Sequence, residues 1–435
     1  MIFGVTAAPM ALAATPTWLE SDSQRAVSQR TESDFSLSVE QAIRDFKTRY
    51  GLTVSESDLD SYAANHLIEM MEINGEKRVY RKSVRNFGLI MSQKIGDWHH
   101  RGYGASEKRI SFVDSTLQSL DKQGFGDTHE VVYRFTIDVP YDEALDGDTL
   151  RVWMPVPMVT PRQKEVKILS TEPKEYVLSD GRSVHNTIYF SRPVEKGKTA
   201  HFEYVARFTP RGQYFSPDDI LANLKPYDKT SAIYQEYTRQ QLPHIIYMSD
   251  LAHEIVGEET NPFRQSELVY DYIINNFPWA GAREYSTIPC IPQYVIDEGH
   301  GDCGQVSMLY ISLMRSLGVP ARWESGWMLH PGEKNLHDWA EVYFEGVGWV
   351  PVDTSFGRYD NADNEKTAKF YSTGMDAHRL AANSGVCGDF YPVKKFIRSE
   401  TVDSQLGEVE CSRGNLFYPG WKQHLEIIKQ TPLTK

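Results

Sequence analysis

Gly299-His300-Gly301-Asp302-Cys303-Gly304 is the stretch on which the reading of this chain turns. Behind Cys303 the apolar residues Val306, Leu309, Tyr310, Leu313, Met314 and Leu317 recur at the spacing of one helix face. Gly318 and Pro320 then supply the stop. A cysteine at a helix start sits beside unpaired backbone N–H groups and the positive end of the helix dipole. Both favour the thiolate, which is the nucleophile. A cysteine in a tight turn is more often plain structure, so the assignment depends on partners elsewhere in the chain.

Downstream lie Leu336-His337-Asp338-Trp339-Ala340-Glu341-Val342-Tyr343-Phe344, a turn at Glu345-Gly346-Val347-Gly348, and Trp349-Val350-Pro351-Val352-Asp353. Two aromatic and β-branched runs joined by a glycine-containing turn predict an antiparallel hairpin. His337 opens its first strand and Asp353 closes its second, so both fall at one end. Cys303, His337 and Asp353 are then the nucleophile, base and orienting group of a thiol acyl-transfer site. His300 and His330 compete for the base role. The first is only three residues before Cys303, and the second precedes Pro331-Gly332 and is expected to be exposed. Asp338 should point to the strand face opposite His337, which leaves Asp353 the better orienting group.

These blocks, with Leu313-Met314-Arg315-Ser316-Leu317-Gly318-Val319-Pro320-Ala321-Arg322 between them, resemble the core of the transglutaminase-like superfamily over roughly residues 262 to 358. The resemblance implies the chain order Cys, His, Asp on a papain-like core of one helix packed against an antiparallel sheet. Its members include cross-linking enzymes, peptidases, amidases and inactive relatives. Gly304 stands where the animal cross-linking enzymes have Trp, and no EF-hand-like acidic loop is present. Both differences point away from glutamine–lysine cross-linking. The oxyanion donors are expected to be the Cys303 backbone N–H and a side chain from Trp279, Tyr285 or Gln293. Trp279 and Tyr285 serve equally well as subsite walls or plain core.

Two other classes fit parts of the pattern. Gly299-x-Gly301-x-x-Gly304 with Glu324 downstream matches a dinucleotide fingerprint, but that motif needs a preceding strand and a βαβ unit. A binding protein that kept the fold without the chemistry is the other. The three side-chain types of the triad favour an enzyme: a hydrolase of peptide or isopeptide bonds first, amine transfer second. Such acyl transfer needs no cofactor and no metal, and no His/Cys/Asp cluster with zinc spacing is visible.

At 435 residues the chain predicts two or three domains. Forty-six Lys and Arg against 59 Asp and Glu give a net charge of −13, which argues against nucleic acid or an anionic membrane as partner and leaves a peptide or protein substrate. Cys290, Cys303, Cys387 and Cys411 show no C-x-x-C spacing. Cys387 and Cys411 either pair in an oxidising compartment or stay single thiols. Ile2 to Ala14 resembles the apolar region and cleavage site of a secretory leader, which predicts export to the periplasm or beyond. No run elsewhere has the ~20 apolar residues of a membrane anchor.

The expected fold class is α+β: a transglutaminase/papain-like core with an antiparallel sheet, a β-sandwich module and a helical N-terminal region. The expected divisions are 1–34 as leader remnant and disordered lead, 35–125 as the helical region, 126–212 as the β module, and 213–435 as the catalytic domain with a C-terminal extension. Ser38 is read as capping a helix with Val39, Ala42, Ile43, Phe46 and Tyr50. Ser57 is read as capping one with Tyr62, Leu67, Met70 and Met71, and a third carries Val84, Phe87, Met91 and Ile95. His99 and His100 read as a solvated helix end rather than a metal pair. From His129 the period becomes two, with Val131, Tyr133, Phe135, Ile137 and Val139 on one face. Strands come next near 150–154, 166–169, 187–190 and 202–208. Phe215 to Tyr247 bridges to helices at Ser249–Val256 and Glu267–Asn276. Thr367 to Leu380 reads as irregular. Glu408 to Tyr418 reads as a hairpin turning at Arg413-Gly414, packed on the core sheet or the β module.

Overall fold

A computed structural model describes residues 17–94, 107–142, 145–359, 362–418 and 420–433. The apolar stretch Ile2–Ala14 and the pair His99–His100 lie outside the described residues. Where a disordered lead was expected, α1 runs over Thr17–Asp34. Tertiary contacts hold its last turns: Arg30 bonds Ser286 and the Ser399 carbonyl, and the Asp34 carboxylate accepts from Arg81 at 3.0 Å and from the Glu284 N–H at 2.7 Å. A polar stretch therefore folds because distant segments need its side chains.

After β1 (Leu37–Ser38), Ser38 caps α2 (Val39–Tyr50) with a capping box, as read from the sequence. The next helix, α3 (Glu56–Ala64), takes Ser55 as its cap, not Ser57, and stops before the two methionines. Met70 and Met71 lie in β2 (Met70–Ile73), which Asn74-Gly75 turns into β3 (Glu76–Val79). Both turn residues have positive φ, 53° and 80°, the two-residue hairpin that Asn-Gly favours. That dipeptide was the signal for a hairpin inside a region read as helical. α4 (Ser83–Lys94) buries Val84 and Phe87 on the predicted face, and α5 (Glu107–Gln118) comes after it.

The β module opens with β4 (Phe125–Gly126) and β5 (His129–Val139), whose inward residues Val131, Tyr133, Phe135, Ile137 and Val139 are all buried. β6 (Thr149–Pro155), β7 (Gln163–Glu172), β8 (Val177–Leu178), β9 (Thr187–Pro193) and β10 (Ala200–Pro210) carry it on, and β11 (Gly212–Tyr214) pairs with β4 in a separate small sheet. Short helices α6 (Pro217–Asn223) and α7 (Ala232–Thr238) cross to the core. There α8 spans Ser249–Val256, and α9 (Pro262–Asn276) begins earlier than expected, because Asn261 caps it and Pro262 fits its first turn.

The site is carried by α10 (Ile291–Glu298), α11 (Cys303–Ser316), β12 (Ala321–Met328), β13 (Asn335–Phe344) and β14 (Gly348–Val352). The stretch read as irregular contains the second half of α12 (Glu365–Ala368), β15 (Gly374–Met375) and the start of β16 (Arg379–Asn383). β16 joins the edge of an antiparallel sheet in the order β14-β13-β12-β16. It approaches so closely that a Cβ at Gly326 would overlap the Leu380 carbonyl. One face of this sheet, with Ala340, Val342 and Phe344, packs on α11 through Leu309 and Leu313. The other face carries Trp339 against Phe356 and Tyr371.

The tail returns to the β module. β17 (Glu408–Glu410) and β18 (Asn415–Leu416) form the expected hairpin, and β17 adds to β6. β19 (Lys422–Pro432) then pairs along β5, from Lys422 opposite Asp138 to Pro432 opposite His129. The sheets β19-β5-β10-β7 and β18-β17-β6-β9-β8 share one apolar core, which continues into Trp327 and Leu380 of the β14-β13-β12-β16 sheet. No helix among the described residues is long and apolar enough to cross a membrane.

Arg162, immediately before β7, latches the module to the core. Its guanidinium bonds Glu324 of β12 and, at 2.7 Å, Glu341 of β13, and all three side chains are buried. Burial opposes ionisation of Glu341, but Arg322 and Arg162 prevail and hold its pKa down to about 2. This depressed value stabilises the fold fully above the unfolded pKa of about 4.3, and the contribution fades as pH falls towards 2. Glu341→Gln should therefore cost about 3–5 kcal/mol at pH 7 and much less near pH 2, measured by denaturant melts of both proteins. An equal deficit at both pH values would contradict the assignment.

Candidate active site

α10 ends at Gly299 in the left-handed conformation (φ 66°), so Gly299-x-Gly301-x-x-Gly304 links two helices and no strand leads into it. Asp302 caps α11: its Oδ1 accepts from the Gln305 N–H at 3.1 Å, while Gln305 Oε1 accepts from the Asp302 N–H at 3.0 Å. The Tyr285 hydroxyl donates to the same Asp302 oxygen. Gly301 is held from both sides, its N–H to Pro278 O at 3.1 Å and its carbonyl to the Ala280 N–H at 3.0 Å, which seats Trp279 beside the turn. A Cβ at position 304 would overlap the Tyr285 hydroxyl and the Asp338 carboxylate. This explains why glycine, and no larger residue, comes directly after the cysteine.

Two of the three expected triad residues meet. His337 Nε2 lies 2.6 Å from Asp353 Oδ2, both side chains are buried, and the Phe356 ring centre is 4.9 Å from the imidazole. Asp353 also accepts from Ser355 Oγ at 2.7 Å and from Arg379 at 3.3 Å. Arg379 belongs to the strand that sequence reading missed. With Nε2 engaged, Nδ1 is the nitrogen left for a thiol.

Cys303 sits elsewhere. Its Sγ lies 3.2 Å from Asp338 Oδ2, and Gln405 Nε2 donates to the other Asp338 oxygen at 2.6 Å. Strand alternation puts Asp338 on the face opposite His337, as expected. That face is the one α11 packs against, so the thiol meets Asp338 first. No hydrogen bond joins Cys303 to His337 among the described residues.

The electrostatics are set by this placement. Burial, with the Asp338 and Asp302 carboxyls beside it, pushes the Cys303 thiol well above its usual range. Burial and the neighbouring Asp403 and Asp302 likewise push Asp338 well up. The thiolate expected from the helix start alone is outweighed by these acids. Burial lowers the His337 pKa, partly offset by Asp353. Burial pushes Asp353 up, but His337 and Arg379 hold it below the usual carboxylate range. Asp338→Asn should consequently move the pH profile of Cys303 alkylation downwards, about tenfold faster at pH 7 for each unit gained. Iodoacetamide labelling mapped by mass spectrometry checks this, and an unchanged profile would show that Asp338 does not govern the thiol.

Cys303 opens on a cleft of about 720 Å³. Arg81, Lys82 and Arg85, from the N-terminal region, give it a basic wall. Asp302, Glu400 and Asp403 give an acidic one, and Trp279 and Trp421 contribute aromatic surface. Tyr285 also lines it, whereas Gln293 is exposed on α10 and donates to Asp297 at 2.8 Å. His300 is buried beside Tyr294, their ring centres 6.3 Å apart. His330, expected to be exposed, is fully buried, stacked on Phe112 and 3.1 Å from Asp376. All four cysteines are free thiols, so Cys387 and Cys411 do not pair.

Residues 249–354 match the model of the transglutaminase-like superfamily core. An uncharacterized protein of Haemophilus influenzae is 25% identical over 224 residues, covering 42% of this chain and 59% of that protein. The uncharacterized protein YebA of Bacillus subtilis is 30% identical over 148 residues, covering 28% of this chain and 20% of that one. The chain thus spans less than two thirds of either relative. Among solved structures, one from Cytophaga hutchinsonii described as a candidate cysteine protease aligns with a TM-score of 0.41 at 18% identity, over 68% of this chain and 98% of that one.

Proposed function

We propose that this chain, which carries a transglutaminase-like superfamily core over residues 249–354, is a cysteine hydrolase of amide bonds in peptides or proteins. The observation behind the reading is Cys303 at the start of α11, open to a large cleft, with the His337–Asp353 pair at the same end of the adjoining sheet. In this reading the Cys303 thiol leaves Asp338 and passes its proton to His337 Nδ1 when substrate binds. His337 lies on the opposite face of β13 and does not line the cleft, so this transfer requires the start of β13 to turn its side chains as substrate binds. The sulfur attacks the amide carbonyl carbon, and the oxyanion is met by the Cys303 N–H and the nearby Trp279 indole. His337 then protonates the departing amine, leaving a thioester that water cleaves to a free acid. Asp353 keeps the imidazole in the useful tautomer and Arg379 keeps Asp353 in place.

A second reading is favoured by the Cys303–Asp338 contact: Asp338 itself takes the thiol proton. Asp338→Asn separates the two, since it should spare or raise turnover if His337 is the base and abolish it otherwise. Amine transfer is the alternative fate of the thioester. Incubation with a peptide library, with and without a primary amine, decides it: free acids alone indicate a hydrolase, amine adducts a transferase, and no turnover a binding module. The leader-like stretch Ile2–Ala14 supports export as the setting for such an enzyme.

A further inference from the structure

Away from the cleft, three imidazoles converge in the interior. His129 opens β5, His330 lies just past β12, and His378 precedes β16. Their exposures are 6%, 0% and 3%, so none is a surface histidine. Phe112 of α5 covers two of them, its ring centre 4.8 Å from that of His330 and 4.3 Å from that of His378. Asp127 and Asp376 lie among the three rings, both buried.

The polar atoms are arranged for something more than mutual hydrogen bonding. Asp376 divides its oxygens. Oδ2 accepts from the Tyr371 hydroxyl at 2.8 Å and faces Arg379 at 3.0 Å. Oδ1 faces His330 Nε2 at 3.1 Å and His378 Nδ1 at 3.4 Å, and takes the His378 backbone N–H at 2.8 Å. Asp127 and His129 form a similar pair at 2.9 Å, with the His129 ring centre 4.9 Å from that of His378. Yet the Nδ1 atoms of His129 and His330 are buried without a hydrogen-bond partner, and His378 Nδ1 has only its 3.4 Å approach to Asp376 Oδ1. Leaving such a group unsatisfied costs about 1–3 kcal/mol each, and a buried cluster with imidazole nitrogens this poorly engaged suits a ligand that accepts lone pairs.

We propose that His330, Asp376 and His378 bind one divalent transition-metal cation, zinc by the nature of the donors, with the Asp127–His129 pair closing the shell. One donor atom from each of the three lies within 4.8 Å of the others, and the same holds for Asp127, His129 and His378. Tetrahedral zinc with bonds of about 2.0–2.2 Å separates its ligands by about 3.3–3.6 Å. The 3.1 and 3.4 Å spacings around Asp376 Oδ1 need only small adjustments to match. Two imidazoles and a carboxylate are a recurrent zinc set. None of these ligands lines the cleft at Cys303, which makes the ion structural. It would tie the start of β5 to the loops flanking β13 and β16. It would also fix Asp376, and through Arg379 the Asp353 carboxylate 3.3 Å beyond. No sequence spacing announces the site, because its ligands come from three distant segments.

The test uses the full chain carrying Cys303→Ala, so that no ion on the cleft thiol is counted. After treatment with a strong chelator and desalting, the protein is titrated with Zn²⁺ and, separately, with Co²⁺. One equivalent should bind, Tm should rise, and the Co²⁺ form should show visible bands of a low-symmetry N/O site with no thiolate charge-transfer band. Adding His330→Gln and His378→Gln should weaken binding at least a hundredfold, whereas His66→Gln, at an exposed histidine, should change nothing. Should the double variant fail to fold, metal content of the Cys303→Ala protein as purified, at about one equivalent, is the second measure. Absence of stoichiometric binding, retention of it in the folded double variant, or a thiolate band would each overturn the proposal.

Discussion

Cys303→Ala should abolish amide turnover, by roughly 10⁴- to 10⁶-fold, with Tm moving no more than ~2 °C. The loss is large because no other group can form the thioester: Cys290, Cys387 and Cys411 do not line the cleft. Stability should hold because Cys303 is only partly buried, and helix α11 is fixed by the Asp302–Gln305 capping box and by apolar packing further along. Peptide turnover monitored by mass spectrometry, beside a thermal melt, reads both quantities. Residual turnover above a hundredth of the parent would move the nucleophile elsewhere.

The second large effect concerns the base. His337→Ala should lower kcat by about 10³-fold or more, and Asp353→Asn by about 10²- to 10⁴-fold, the latter through the wrong imidazole tautomer. His337 and Asp353 are 2.6 Å apart in a buried setting, so an amide at position 353 keeps the shape but loses the charge that stabilises an imidazolium. Because burial lowers the His337 pKa, the neutral ring needed to accept a proton prevails at pH 7. Asp338→Asn serves as the contrast. If His337→Ala is harmless while Asp338→Asn is fatal, the base is Asp338 and the 3.2 Å thiol contact is the working one.

Much of this was legible in the sequence where local chemistry decides structure. The apolar spacing from Val306 to Leu317 announces α11, and Gly318-Val319-Pro320 its end. Alternation announces β5, and Trp349 to Val352 announces β14. The relation of Cys303 to its neighbours was not legible. Alternation put Asp338 opposite His337, but which face receives α11 is a matter of packing between distant segments. That choice set the thiol's environment: Asp338 and Asp302 lie beside it, and the helix start no longer decides its charge. β16 escaped notice because Leu380-Ala381-Ala382 has little strand character of its own and is held by its register on β12. Arg379 was missed with it. The buried histidines failed the spacing test for the same reason that α1 failed the order test, since in both cases the partners are tens to hundreds of residues away.

Whether Cys303 carries the acyl group is read most directly by an acid quench of the protein during turnover of a peptide library, with mass mapping of the peptide that contains Cys303. A mass increase equal to the acyl portion of a consumed substrate is expected, located on Cys303, removed by hydroxylamine and absent from Cys303→Ala. Continued turnover with Cys303 unmodified at every time point, or an acyl group on any other residue, would contradict a Cys303 acyl-enzyme.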